Sequence, residues 1–372
     1  MSFDIVDKLE WGELATFVPN KKLPVYNWFY YKEGYSRDLI FKLIDMFGVK
    51  KGDLVLDQFC GTGTTNLACR QKGIDSVGFE VSPLALFAAE VKTRDYDIEL
   101  LRETLLLIRK AKFRKIIKSW VPSNIKKYFN PHTLDDVLFF RQLVKEIDDG
   151  PTREFFRLAL ISAATRCSYM YKDGSVVKVR KHPIPPFRKF YNWRLKRMIK
   201  NLEKFEQGNE CRTVITRGDA RKLKLDDEEI DFVMTSPPYL NKIEYTKIYG
   251  VEEFLFFGTS KKRGVRSYIG MQVEPERIFP ELPDIANAYF ADMRQTLKEM
   301  YRVCKPGAKA AIVVGNGCFP DGVIQSDELI SELAEKIGFS VDKIHVLNKR
   351  WCTKNRTEKV GELRESMVVL EK

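Results

Sequence analysis

Short runs of apolar, β-favouring residues recur in the first quarter and the second half of the chain. The clearest are LVLDQF at 54–59, SVGFE at 76–80 and DFVMT at 231–235. Runs of this length and composition are typical of strands buried on both faces of a parallel sheet. Similar runs begin near residues 213, 309, 340 and 365. The pattern therefore predicts seven strands.

Segments with helical period separate these strands. RDLIFKLIDMF follows Ser36, a favourable N-cap residue, and presents one apolar face until Gly48. Residues 95–212 have the pattern of one helix after another, interrupted by a proline-containing stretch at 172–190 that we expect to be an exposed loop. We predict an α/β fold in three parts: residues 1–94, a helical basic insert at 95–212 that recognises the substrate, and residues 213–372.

The strand at 231–235 runs directly into Ser236-Pro-Pro-Tyr239. Each proline removes a backbone donor and favours extended geometry in the residue before it, so the strand ends in a stiff, open loop. The Ser236 hydroxyl and the Pro237 carbonyl offer acceptors beside a flat ring, which complements a planar base carrying an amino group. The alternative is a strand-terminating Pro-Pro turn with a buried tyrosine.

The strand at 54–59 runs into CGTGTT at 60–65, and the strand at 76–80 ends on Glu80. A strand, a glycine-rich turn, a helix and a second strand with a terminal acid are typical of a nucleoside-cofactor half-site. The spacing is not GxGxxG, and Asp57 would repel a pyrophosphate but suits a cationic ligand. The alternative for Asp57 is a loop-capping carboxylate.

The net charge of +12 favours a polyanionic partner, although many lysines and glutamates also occur in proteins from hot environments. Basic residues interleaved with aromatic ones crowd the insert and predict nucleic-acid contacts. The candidates are Lys112, Arg114, Lys115, Arg180, Lys181, Arg188 and Lys189. The alternative is a solvated helical face.

Seven cysteines without a CxxC pair predict reduced thiols, and three dispersed histidines give no pattern for a metal site. The sequence has no run of about 18 apolar residues and no basic, apolar start. We therefore expect a soluble, cytoplasmic protein that does not bind a membrane or a metal ion and is a monomer or a weak dimer.

Two motifs resemble those of one family. DQFCGTG at 57–63 is similar to DxFxGxG, and SPPY at 236–239 is similar to (D/N/S)PP(Y/F), of the S-adenosylmethionine-dependent amino-methyltransferases that act on nucleic-acid bases, the DNA methylases of N4/N6 type. The resemblance implies a Rossmann-like seven-stranded methyltransferase sheet with a reversed C-terminal hairpin. The aromatic segment before Ser36 resembles the family's extra cofactor motif, whereas Gln58 stands where the family usually has proline.

The resemblance also implies a cofactor, S-adenosyl-L-methionine, and a role for each matching residue. The implied cofactor-binding residues are Asp57, Phe59, Cys60, Gly61, Gly63, Thr64, Thr65, Glu80, Val81, Asp219, Ala220 and Ser236. The implied catalytic residues are Ser236, Pro237, Pro238 and Tyr239. Acceptors at Ser236 and Pro237 would draw the lone pair of an exocyclic nitrogen out of the base and towards the methyl group.

Serine at position 236 resembles the enzymes that make N4-methylcytosine, with N6-methyladenine left open. The chain is also similar to stand-alone archaeal enzymes that methylate cytosine N4 in ribosomal RNA, and a helical, basic insert suits backbone tracking. We therefore favour structured RNA as substrate over a site-specific DNA methyltransferase of restriction-modification type. A nicotinamide dehydrogenase would need GxGxxG, and a non-catalytic RNA-binding protein would need no cofactor loop, so both fit this sequence less well.

Overall fold

The computed structural model describes residues 3–173, 176–206, 208, 210–240, 245–258, 269–270, 275–319, 322–354 and 357–372. Its strands are β1 (Ile5–Asp7), β2 (Leu54–Asp57), β3 (Asp75–Glu80), β4 (Met170–Asp173), β5 (Val176–Val179), β6 (Thr213–Arg217), β7 (Ile230–Thr235), β8 (Cys304–Gly315), β9 (Gly317–Phe319), β10 (Gly322–Ile324), β11 (Ser340–Lys354) and β12 (Glu358–Glu371).

The helices of the described residues fall before, within and after the predicted insert. They are α1 (Arg37–Phe47), α2 (Thr64–Lys72), α3 (Pro83–Thr93), α4 (Ile98–Lys110), α5 (Ser123–Lys126), α6 (Pro131–Lys145), α7 (Gly150–Arg166), α8 (Phe187–Glu203), α9 (Tyr245–Ile248), α10 (Gly250–Phe257), α11 (Asp284–Val303) and α12 (Ser326–Ile337).

One mixed sheet organises the molecule, in the order β1-β11-β12-β8-β7-β2-β3-β6. The strands from β8 to β6 are parallel, and β12 runs antiparallel to both of its neighbours, β8 and β11. This arrangement confirms the predicted Rossmann-like α/β fold with a reversed C-terminal hairpin. The sheet has eight strands rather than seven because β1 pairs in parallel with β11 at its edge.

Alternating side chains of the central strands explain the layers on the two faces of the sheet. Leu56 and Val233 pack in a core with α11 and α12, whereas Val55 and Phe232 pack with α1 on the opposite face. Burial on both faces accounts for the continuous apolar runs in the sequence. Helix α1 has the predicted limits: the Ser36 hydroxyl accepts a hydrogen bond from the Leu39 N–H, and the helix ends at a left-handed Gly48.

The insert differs in part from its predicted pattern. Helix α4 ends at Lys110, and residues 111–118 have no regular structure although they lie in the region predicted as one helix after another. The stretch at 172–190, predicted as an exposed loop, begins inside the hairpin of β4 and β5 and ends in α8. Strands of four residues are too short to establish a period that distinguishes them from a loop.

The insert helices share a hydrophobic core with the rest of the chain. Phe155 and Leu101, from the insert, belong to the same cluster as Trp28 and Phe29 before it and Leu255 after it. Trp28 is fully buried and meets the Phe155 ring edge-on at 5.2 Å between centroids. The insert therefore packs against the N-terminal aromatic segment.

Two further features predicted from sequence can be compared with the structure. Cys318 and Cys352 form a disulfide, so the expectation that all cysteines are reduced is wrong for this pair; their strands bring Cα atoms 34 residues apart in sequence to 5.7 Å. No helix among the described residues combines the length and apolarity needed to cross a membrane.

The shared core predicts that a cavity in the insert lowers the stability of the whole molecule. Leu101→Ala should reduce the free energy of unfolding by about 2–5 kcal/mol, measured by urea denaturation followed by circular dichroism. Leu107→Ala on the same helix is the matched control, because Leu107 is 70% exposed and Leu101 is fully buried. Equal effects of the two substitutions would contradict the shared core.

Candidate active site

The candidate site lies where the chain changes direction in the sheet. From β2 the chain builds outward through β3 and β6 on one side, and later through β7 and β8 on the other. The crevice beyond the carboxyl ends of strands at such a point is where ligands bind in open α/β sheets. A cavity of about 730 Å³, part of it open to solvent, lies there and is lined by Tyr31, Glu33, Gly34, Tyr35, Phe59, Cys60, Gly61, Thr62, Thr64, Glu80, Val81, Ser82, Ser236, Pro238 and Ile269.

The glycine-rich loop after β2 is shaped by two left-handed glycines. Gly61 has φ +51° and Gly63 has φ +74°, values that other residues rarely adopt. A Cβ at Gly63 would come within 3.0 Å of the Ala89 Cβ, so a side chain there would separate the loop from α3. The Cys60 N–H donates to the Phe79 carbonyl at 3.0 Å and ties the loop to β3.

The Asp57 carboxylate joins the two loops that carry the motifs. Its Oδ1 accepts from the Thr235 hydroxyl at 2.8 Å and from the Phe59 N–H at 3.2 Å. Its Oδ2 accepts from the Tyr35 hydroxyl at 2.8 Å and from the Thr65 hydroxyl at 2.7 Å. Thr235 immediately precedes Ser236, so one side chain links the N-terminal segment, the cofactor loop and the SPPY loop.

These four donors fill the acceptor sites of the Asp57 carboxylate. The side chain is 1% exposed and does not line the cavity. Burial raises the pKa of this carboxyl, and the four hydrogen bonds oppose the rise. Asp57 therefore organises the loop through protein contacts, while its predicted contact with a cofactor stays a prediction.

Glu80 faces the cavity from the end of β3. Its Oε1 accepts from the backbone N–H groups of Val81 and Ser82, each at 2.8 Å, and its Oε2 accepts from the Gly61 N–H at 2.9 Å. Three of about four acceptor sites are filled, so Oε2 can accept one further donor such as a hydroxyl. Burial is the main cause that raises the pKa of Glu80 to about 7, against the lowering effect of the backbone hydrogen bonds.

Ser236 is oriented as an acceptor. Its hydroxyl donates to the Val313 carbonyl at 3.0 Å, which engages the only proton and leaves the oxygen lone pairs for a ligand. Pro238 lines the same cavity, whereas Pro237 is buried and does not line it, so its predicted role as an acceptor stays a prediction. Tyr239 does not line it, and its hydroxyl donates to the Glu365 carboxylate on β12 at 2.8 Å.

Residues from three distant segments meet at one side of the cavity. The Tyr31 and Tyr249 rings are stacked with centroids 5.4 Å apart, and the Tyr249 hydroxyl donates to Glu33 at 2.7 Å. The Lys172 ammonium lies 3.7 Å from the centre of the Tyr249 ring and 2.8 Å from the Glu252 carboxylate. The β4–β5 hairpin of the insert is thereby fastened to the wall of the cavity.

The structure brings together eight of the predicted cofactor and catalytic residues. Those that line the cavity are Phe59, Cys60, Gly61, Thr64, Glu80, Val81, Ser236 and Pro238. Asp57, Gly63 and Thr65 support the loop from behind it. Asp219 and Ala220 do not line the cavity; the Asp219 carboxylate is held by the Arg221 guanidinium at 2.7 Å, and Ala220 is buried.

Several lining residues were absent from the sequence prediction. They are Tyr31, Glu33, Gly34, Tyr35, Thr62, Ser82 and Ile269. The first four fall in the aromatic segment before Ser36, where the resemblance to a cofactor motif was the available signal. Glu33 is singled out only by its contact with Tyr249, a residue 216 positions later, which no local pattern reveals.

The described lining residues fit a cationic nucleoside cofactor better than a phosphorylated one. Glu33 and Glu80 contribute carboxylates to the cavity, and none of the described lining residues is basic. Burying a pyrophosphate beside carboxylates without cations is unfavourable. A sulfonium, an ammonium group and ribose hydroxyls are complementary to this set of acceptors.

Comparison with known proteins agrees with this chemistry. The family model described as DNA methylase matches residues 14–90. The chain is 26% identical to the Type II methyltransferase M.BsoBI of Geobacillus stearothermophilus, over 97% of this chain and 88% of that protein. It is 26% identical to the Type II methyltransferase M.AvaI of Nostoc sp., over 90% of this chain and 83% of that protein.

The chain is thus similar to the N4/N6 amino-methyltransferases. The family resemblance inferred from DQFCGTG and SPPY is thus confirmed, and with it the cofactor S-adenosylmethionine. A solved SAM-dependent methyltransferase from Methanosarcina mazei has 11% identity and a TM-score of 0.34 over 88% of this chain and 96% of that one. The strand order described above, not this likeness, carries the fold assignment.

The predicted nucleic-acid residues all lie at the surface of the protein. Lys112, Arg114, Lys115, Arg180, Lys181, Arg188 and Lys189 are exposed. The Arg188 guanidinium lies 4.7 Å from the Phe113 ring centre, which brings the cluster at 112–115 beside α8. Arg114 is paired with Glu146 and Arg188 with Asp136, so these two charges are partly compensated. Their role in binding stays a prediction.

Gln58, which departs from the family's usual proline, is 1% exposed, and neither polar atom of its amide has a partner among the described residues. In the part of the chain that the structure describes, no group of three or more metal-binding side chains is placed to hold a metal ion.

Asp57→Asn should disrupt both stability and cofactor binding. The amide N–H groups of asparagine would face two of the four donors in a buried site. This should lower the free energy of unfolding by about 3–5 kcal/mol. We expect a lower urea midpoint and the loss of S-adenosylhomocysteine binding in a calorimetric titration. Asp45→Asn, at a side chain that is 73% exposed, is the matched control and should change neither. Unchanged binding by Asp57→Asn would contradict the linking role.

The affinity for S-adenosylhomocysteine should rise as the pH increases through about 7, because a ribose hydroxyl donates to ionised Glu80. The stability of the ligand-free protein should change in the opposite direction. The folded-state pKa of Glu80, about 7, exceeds its ordinary value of 4.5. The contribution of Glu80 to stability is therefore fully present below pH 4.5 and is lost as the pH rises to about 7.

Glu80→Gln should flatten the pH profile of affinity measured by calorimetry. Glu253→Gln is the matched control, because Glu253 also has a pKa raised to about 7, chiefly by burial, but contacts Ser82 rather than the backbone of the cofactor loop. A pH profile that survives Glu80→Gln would contradict this role.

Proposed function

We propose that the protein is a site-specific DNA methyltransferase that methylates an exocyclic amino group, with N4 of cytosine as the target atom. The observation that carries the proposal is the shared cavity: Gly61 of the cofactor loop and Ser236 of the SPPY loop line it together. Asp57 holds both loops by hydrogen bonds to Phe59 and Thr235.

DNA replaces RNA as the favoured substrate. The matching family model is described as DNA methylase. The two relatives are Type II methyltransferases, and their similarity extends over 90% or more of this chain and therefore includes the insert. Neither relative supports the preference for ribosomal RNA that the basic insert suggested. Structured RNA is the competing substrate in the experiment below.

The polar groups of the SPPY loop activate the target nitrogen by position rather than by strong basicity. The lone pair of an exocyclic amino group is delocalised into the base, which makes the nitrogen a weak nucleophile. The Ser236 oxygen, whose proton is engaged by Val313, accepts an N–H of the amino group and favours the geometry in which the lone pair is localised. S-adenosylmethionine supplies an electrophilic methyl group.

The hydrogen bond between Tyr239 and Glu365 supports a second part of the mechanism. A target base must leave its stack to reach a cavity, at a cost of a few kcal/mol in a duplex. An aromatic ring held in a fixed orientation offsets part of that cost by stacking on the base. Glu365 holds the Tyr239 hydroxyl at 2.8 Å, and because Tyr239 does not line the cofactor cavity, we expect its ring to contact the base beside that cavity.

The choice of cytosine N4 over adenine N6 rests on the residue at position 236. Serine resembles the N4-cytosine enzymes of the family. N6-methyladenine in DNA is the second candidate, and the same measurement distinguishes it.

Ser236→Ala should reduce the rate of methyl transfer about 10²–10³-fold, because it removes a preorganised acceptor at the reacting nitrogen. The measurement is mass analysis of nucleosides after incubation with duplex DNA and, separately, with ribosomal RNA. The affinity for S-adenosylhomocysteine should change little. Ser123→Ala, which begins the short helix α5, is the matched control and should keep full activity.

Three outcomes would contradict the proposal in different ways. Full activity of Ser236→Ala would remove the assigned role of the hydroxyl. N6-methyl-2′-deoxyadenosine in the product from duplex DNA would replace the target atom and leave the site intact. Methylation of ribosomal RNA but not of duplex DNA would make RNA the substrate.

A further inference from the structure

A second cavity lies outside the active site, at the corner between α6 and α7. It is lined by Arg141, Val144, Lys145, Arg153, Glu154, Arg157, Leu160, Phe256, Phe257 and Gly258. None of these residues belongs to either motif or to the basic clusters that the sequence suggested for nucleic acid. Its composition is four basic side chains and one acid around an apolar floor.

The four basic side chains face the same cavity because of their spacing along α6 and α7. Arg141 and Lys145 are four residues apart at the end of α6, and Arg153 and Arg157 are four residues apart near the start of α7. Side chains spaced by four share one helix face. The short connection between the helices turns these two faces towards each other.

The positive charge of this cavity is only partly compensated within the described part of the chain, because Glu154 is the one acid in its lining. None of its four basic residues forms an ion pair there. The neighbouring acids are engaged elsewhere: Glu154 pairs with Arg94, Glu146 pairs with Arg114, and Asp149 caps α7 at the Thr152 N–H. The Arg141 and Arg157 charges lower the pKa of Lys145, as does partial burial, which is the effect of excess positive charge.

Two of the basic side chains are held in place. The Arg157 guanidinium lies between the Phe87 and Phe257 rings, 4.7 and 4.3 Å from their centres, and donates to the Phe256 carbonyl. Arg153 donates to the Ile147 carbonyl at 2.8 Å.

The other two basic side chains have free polar groups. Arg141 lies 5.0 Å from the centre of the Trp120 ring, and its buried Nε has no partner among the described residues. Lys145 is exposed. A cavity with two fixed guanidinium groups and two further basic side chains that have free donors is complementary to an anion.

We propose that this cavity binds a backbone phosphate of the nucleic acid near the target nucleotide. The inference rests on the proposed function for the identity of the polyanion. Helix α10 joins the two cavities: Glu253 contacts Ser82 of the active site, and Phe257, four residues later, lines the basic cavity. Four residues of helix rise about 6 Å, a length spanned by about two nucleotides of a strand.

The test is the salt dependence of duplex DNA binding by the full chain, measured by fluorescence anisotropy. Lys145→Gln combined with Arg141→Gln should decrease the slope of log K against log salt by about 1, one unit for the single phosphate contact that the substitutions remove. The matched control is Lys50→Gln combined with Lys51→Gln. It removes the same charge at exposed side chains that precede β2, at the opposite edge of the sheet from the active site, and should leave the slope unchanged.

Lys145→Gln alone changes one exposed side chain and should decrease the slope by about 1, which keeps the test valid if Arg141→Gln disturbs folding. The affinity for S-adenosylhomocysteine should stay the same in every variant. An unchanged DNA slope in the Lys145 and Arg141 variants would overturn the inference. A second measurement is the thermal midpoint of each protein with and without inorganic phosphate. If phosphate raises the midpoint of the unaltered protein but not that of the variants, and the DNA slope is unchanged, the inference is also overturned, because the cavity would then hold a free anion.

The binding measurement is independent of methyl transfer, so this inference and the proposed function fail separately. If the unaltered protein methylates only RNA, the DNA proposal fails. The phosphate inference still stands if the variants decrease the slope for that RNA. If the unaltered protein methylates DNA and the variants bind it with the original slope, the proposed function stands and the phosphate site does not.

Discussion

The structure of the active site depends on one buried carboxylate. Asp57 is almost fully shielded from solvent, and a buried charge is tolerated only when its acceptor sites are filled. Its donors come from four separate places: Tyr35 in the N-terminal segment, Phe59 and Thr65 in the cofactor loop and helix, and Thr235 at the start of the SPPY loop. Because each donor satisfies the same charge, displacement of any one loop exposes the carboxylate to an unfavourable environment, and the loops keep a common geometry.

The sheet order explains why this carboxylate can reach both loops. Strands β2 and β7 are neighbours with Leu56 opposite Val233, so their carboxyl ends lie side by side. A residue at the end of β2 and a residue at the end of β7 therefore meet although 178 positions separate Asp57 from Thr235. The insert is joined to this arrangement through Lys172, which contacts Tyr249 and Glu252. The cofactor loop, the SPPY loop and the insert are thus connected by contacts around the cofactor cavity.

Local patterns predicted the strands, the helix α1 with its caps, and the residues of the two loops, because buried strands and glycine turns have strong signatures over a few residues. The same patterns could not predict β1, which has three residues and pairs with a strand more than 300 positions away. They also missed the Cys318–Cys352 disulfide and the contact of Glu33 with Tyr249, since each depends on tertiary placement. The seven basic residues selected from sequence density include two with acidic partners, whereas Arg141 and Lys145, spaced out along a helix, do not stand out in the sequence.

The distribution of charge on the protein fits two ligands of opposite charge, a cationic cofactor and an anionic nucleic acid. The cofactor cavity contains Glu33 and Glu80 and suits a cation, whereas a nucleic acid requires compensation of its phosphates. If basic side chains surrounded the cofactor, they would repel the sulfonium; if acids surrounded the phosphates, they would repel the substrate. Helix α10 separates the two requirements over a few residues, with the acid Glu253 towards the cofactor cavity and Phe257 towards Arg157. A net charge of +12 can therefore attract a polyanion without weakening a cationic cofactor's site, because the excess charge lies on the insert and not in the crevice of the sheet.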